Sequence, residues 1–187
     1  MAKNDITVKL SKARVIGSAG FGVPLIIQGK ANAAKDYAEY DSLDAVLEAG
    51  FTSDTPVYKQ CAKLFIQEDR PNKVAICVGT GKVTETLNLI KAQDFRQIIP
   101  VFGTEDDTLK ELATYVEATE DRMLFVKVSD TSSLEAVGKM DRTLGIVYAG
   151  EEEGVEGALV GATAGYTAGS FAQKNIILKG IAPGLVI

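Results

Sequence analysis

From residue 73 onward, short runs of β-branched and aliphatic residues alternate with stretches whose apolar positions recur at helical spacing. The runs are "KVAICVG", "RQIIPVFG", "RMLFVKVSD", "RTLGIVYAG" and "SFAQKNIILKG"; between them stand "VTETLNLIKAQD", "DTLKELATYVEAT", "SLEAVGKM" and "EEEGVEGALVG". The alternation predicts βαβαβαβαβ. Nearly continuous apolar strands suit a parallel sheet whose faces are both covered by helices, and the short connections imply right-handed crossovers.

The first seventy residues read differently. "DITVKL" alternates in period two, and "GFGVPLIIQG" forms a second strand after a glycine-rich turn. "YDSLDAVLEAG" predicts a short helix, and "SDTPVYKQCAKLFIQED" a longer one with Thr55 as N-cap and Pro56 at the first helical position. "DRPNK" closes that helix and leads into the parallel strands. Thr104 with Asp107 and Ser132 with Glu135 fit the side-chain capping pattern of further helix starts. The expected fold class is α/β: a mainly parallel sheet of about five βα units flanked by helices, with an N-terminal extended strand and two helices preceding it. No internal repeat, low-complexity tract or linker divides the chain, so residues 1–20 are expected as an extended arm and residues 21–187 as a single domain.

Composition narrows the chemistry. A chain of 187 residues that is 46% hydrophobic and 24% charged can bury a core without staples. The net charge of −5 is spread over interspersed acidic and basic residues, which leaves no basic stripe for nucleic acid. Histidine is absent, and with it the commonest general base and metal ligand. Cys61 and Cys77 lie in apolar contexts, as buried free thiols of a reducing compartment do. The opening "MAKNDITVKLSKARV" has Asp5 where a signal peptide needs its apolar stretch, so a cytoplasmic protein is expected.

The motif closest to ligand chemistry is "VAICVGTGKVTET", in which Gly79, Thr80, Gly81 and Lys82 follow a strand and open a helix. A phosphate loop needs an earlier glycine and a hydroxyl residue straight after the lysine; those positions hold Ile76 and Val83. The dinucleotide fingerprint fails as well, since Glu85 stands near where its third glycine belongs. The turn still falls at the carboxyl end of a strand, where α/β sheets bind ligands, and an α/β small-molecule or nucleotide-binding enzyme using Thr80–Lys82 remains the alternative reading.

"EEEGVE" places four carboxylates at a helix start, where the macrodipole favours them, and reads as a solvated helix N-terminus without the alternation of a calcium loop. Gly157, Gly161, Gly165 and Gly169 follow at four-residue spacing. The uncharged run is too short and too polar to span a membrane, which takes about twenty apolar residues. Gly157 and Gly161 are expected to admit a close neighbour against a helix, Gly165 to end that helix and Gly169 to lead into the next strand.

In order and spacing, several blocks resemble the tail sheath proteins of contractile bacteriophages and related prophages. They are "DITVKL", "AGFGVPLIIQG", "YAEYDSLDAVLEAGFTSDTPVYKQCAKLFIQEDRPNKVAI", "YVEATEDRMLFVKVSD", "DRTLGIVYAG" and "GSFAQKNIILKGI". The resemblance covers the family's N-terminal and central part; the C-terminal region such proteins usually carry would lie beyond Ile187. It implies a virion structural protein and not an enzyme, without catalytic residues, cofactor or metal. Its partners would be itself, in hexameric rings stacked into a helical sheath, and a tail tube protein, with no nucleic acid and no membrane insertion. It would be assembled in the host bacterial cytoplasm and reside in the virion tail. Terminal extensions of that family add strands to a neighbour's sheet, a role that Ile6, Thr7, Val8, Lys9 and Leu10 would take by main-chain hydrogen bonding. An ordinary edge strand of the same domain is the other reading of those residues.

Overall fold

The computed structural model describes residues 22–68, 70–101, 107–119, 121–128, 140–163 and 180–181. Along the chain these form β1 (Val23–Gln28), β2 (Lys35–Tyr40), α1 (Leu43–Glu48), α2 (Pro56–Phe65), β3 (Val74–Val78), α3 (Val83–Leu89), β4 (Phe95–Val101), α4 (Asp107–Thr119), β5 (Met123–Val128), β6 (Thr143–Val147) and α5 (Val155–Thr163). The strands make one six-stranded sheet in the order β2-β3-β1-β4-β5-β6. Among the described residues only β2 runs antiparallel to its neighbour; β3, β1, β4, β5 and β6 are parallel. The fold is α/β, and its parallel strands follow the 2-1-3-4-5 order of a doubly wound sheet.

Two expectations change. "GFGVPLIIQG" is not a strand ahead of the parallel sheet: as β1 it occupies the middle, with Leu25 opposite both Ala75 of β3 and Ile98 of β4. Its interior residues Leu25, Ile26 and Ile27 are fully buried, as a strand covered on both faces requires. The segment "KDYAEY", whose charged pattern predicts no strand, pairs as β2 on the outer side of β3. Lys35, Asp36 and Glu39 are exposed there, so its charged side chains blunt the sheet edge.

Helices divide between the faces. Val83 and Leu87 of α3 and Leu112, Ala113 and Val116 of α4 cover one face, over Leu25, Ile27, Phe95, Ile98 and Leu124. Val46 of α1, Val57, Cys61 and Leu64 of α2, and Leu159 and Val160 of α5 cover the other, over Ile26, Ile76, Ile99 and Phe125. Local signals place the starts. Thr55 Oγ1 accepts from Tyr58 N at 3.3 Å with Pro56 leading α2, and Ser42 Oγ accepts from Ala45 N at 3.3 Å at the start of α1. Pro100, which has no N–H to donate, lies in β4 beyond the β4–β5 ladder, whose pairs are Gln97 with Met123 and Ile98 with Leu124.

The helix expected at "SLEAVGKM", the strand expected at "SFAQKNIILKG", the caps at Thr104 and Ser132, the turns at Gly165 and Gly169, and the arm of residues 1–20 with Ile6, Thr7, Val8, Lys9 and Leu10 lie outside the described residues.

Candidate functional site

The chain passes from β1 to β3 on one side and then, by way of α3, from β3 to β4 on the other side of β1, so the sheet's topological switch point lies between β1 and β4. In doubly wound folds the crevice beyond the carboxyl ends of such strands is where ligands bind. On the opposite side of β1 from that crevice, residues 29–31 after β1 meet Gly79, Thr80, Gly81 and Lys82 after β3. Gln28 O accepts from Gly79 N at 2.8 Å, Lys30 N donates to Gly81 O at 2.7 Å, and Ala31 N donates to Gly79 O at 3.0 Å. Lys30 takes a left-handed φ of 52°, a conformation in which a side chain is strained, and its N–H is spent on this contact. A Cβ on Gly29 would lie 2.8 Å from Val83 N and 2.9 Å from Gly81 O, so glycine is what lets the two loops touch backbone to backbone.

The charges of this corner are paired with one another. Glu85 Oε2 accepts from Lys82 N at 3.1 Å and lies against Gly81, placing a carboxylate at the start of α3. This is the acidic half of a capping box; lysine has no acceptor with which to complete it. Lys82 Nζ lies 2.9 Å from Glu111 Oε2, and Thr84 Oγ1 donates to Glu111 Oε1 at 2.9 Å. The hydrogen bond to Glu111 and its charge raise the Lys82 pKa, while the bonds from Lys82 and then Thr84 hold the Glu111 carboxyl below its ordinary value. An anion approaching this turn meets the Glu85 carboxylate already in the place that a phosphate would take in a phosphate loop.

Gly157 and Gly161 lie elsewhere, where α5 crosses α2. Gly154, at φ 84°, would bring a Cβ within 2.7 Å of Lys59 O; Gly157 faces Gln60 O; and at Gly161 a Cβ would be 2.5 Å from Leu64 O. The close neighbour of these glycines is therefore the α2 backbone of the same chain. Every residue of α5 is buried, so the helix has no solvated flank.

A polar network crosses the same seam. Gln60 Oε1 accepts from Gly157 N at 2.7 Å, and Gln60 Nε2 donates to Glu156 Oε2 at 2.8 Å. Glu156 Oε1 accepts from Lys127 N in β5 at 3.1 Å. Lys127 Nζ in turn donates to Gly150 O at 3.1 Å and Glu152 O at 2.9 Å, tying the turn before α5 to the sheet. This corrects the reading of "EEEGVE" as a solvated helix start. Glu151, Glu152 and Glu153 precede α5, and Glu156, only 9% exposed, bridges three elements because buried carboxylate oxygens need donors. Gln60 and Glu156 stand 96 residues apart, so no local motif announces the pair. Beside them a groove of about 440 Å³ runs between Tyr58, Lys59 and Lys63 on α2 and the three glutamates, with Lys59 and Glu153 paired at 2.7 Å.

Cys61 and Cys77 are free and buried, and burial pushes the Cys61 thiol up to about 12, far from a nucleophilic thiolate at neutral pH. Among the described residues no His, Cys, Asp or Glu cluster is arranged to hold a metal ion, and no helix is long and apolar enough to cross a membrane. Compared with known proteins, the chain matches no family model and no curated protein.

Proposed function

We propose that this chain is a structural subunit of a contractile phage tail sheath or a related injection machine. It would assemble in stacked rings around a tail tube and drive the tube through the host envelope on contraction. The observation that carries the reading is the ordered set of sheath-like sequence blocks. Four of the six blocks fall on β1, on the continuous β2–α1–α2–β3 stretch, on α4 and β5, and on β6, so the resemblance touches five of the six strands and leaves out β4. The self-paired corner after β3 adds support: Lys82 is engaged by Glu85 through its N–H and by Glu111 through its ammonium, in ways that stabilise a turn.

Sedimentation velocity of the intact chain beside one lacking residues 1–10 tests the strand-exchange part of the proposal. Loss of large species with the circular dichroism spectrum retained is expected; an unchanged distribution contradicts it. The second reading, an α/β ligand-binding enzyme using Thr80–Lys82, has in its favour the turn's place at the carboxyl end of parallel strand β3 and the left-handed Lys30 beside it. It requires a nucleotide or phosphorylated metabolite to raise the thermal midpoint, since a ligand that binds only the native state stabilises it by mass action. A flat thermal-shift series is the outcome expected from a sheath subunit.

A further inference from the structure

We draw no further inference here: the strongest candidate, the uncharged outer edge of β6 at the end of the sheet opposite the charged β2, carries nothing because nothing in the structure shows what covers it.

Discussion

The glycines of the α2–α5 seam and those of the β3–α3 turn both leave out a Cβ, but different atoms occupy the space. At Gly157 and Gly161 it is taken by main-chain carbonyls of α2, which cannot move without moving the helix. At Gly79 and Gly81 it is taken by the side chains of Thr86 and Glu85, which have other rotamers. Identical residues at regular spacing thus make a rigid joint in one region and an adaptable turn in the other. The element facing a glycine, more than the spacing between glycines, decides which.

The largest effect is expected at the joint. Gly161→Ala and Gly157→Ala each gain about 1 kcal/mol of helix propensity, yet should lose about 2 kcal/mol net because the added methyl overpacks the seam. Urea unfolding with an unchanged slope would show it. Alanine variants as stable as the parent would mean that the helices can separate freely and would remove the distinction.

Next comes the network along the same seam. Glu156→Leu leaves Lys127 N and the Gln60 amide without their acceptor and should cost about 2 kcal/mol, measured in the same way. Combined with Gln60→Leu, which leaves Gly157 N unpaired, the loss should be smaller than the sum of the two single losses, because the two residues share one contact.

Gly79→Ala should cost about 1 kcal/mol, and in the Thr86→Ala background that cost should shrink, since Oγ1 and Cγ2 are then gone and only the Cβ, 3.0 Å away, remains. A cost undiminished in the double variant would show that the turn is as rigid as the joint.

The smallest effect is electrostatic and depends on pH. Glu111 has a depressed folded-state pKa, so its contribution is present above its unfolded value and lost as pH falls through the folded one. Lys82 is raised, so its contribution is present below its unfolded value and lost as pH rises through the folded one. The thermal midpoint of Glu111→Gln should therefore lie slightly below the parent's through the neutral range and converge with it at both the acid and the alkaline end. Added salt should shrink the gap, because both groups are exposed.

What could be read from the sequence divides along similar lines. The parallel strands β3, β4 and β5 stand out because burial on two faces demands unbroken apolar runs, and α2 because Thr55 and Pro56 act on their own helix. Edge strand β2 hides because Lys35, Asp36 and Glu39 face water and dilute its pattern. The central position of β1 is a matter of strand order, which no local periodicity encodes. Glu156 looked like its solvated neighbours because its partners Gln60 and Lys127 approach only once α2, α5 and β5 have assembled. Gly157 and Gly161 could be recognised as close-approach positions from their cost inside a helix, but the helix that approaches them could not be named.

Electron microscopy of the intact purified chain tests the central claim most directly. A sheath subunit is expected to give rings, or short tubes stacked from them, whose number grows with protein concentration. A uniform population of monomers at all concentrations, together with a thermal midpoint raised by a nucleotide, would contradict the account and favour a ligand-binding protein built on the Gly79–Lys82 turn.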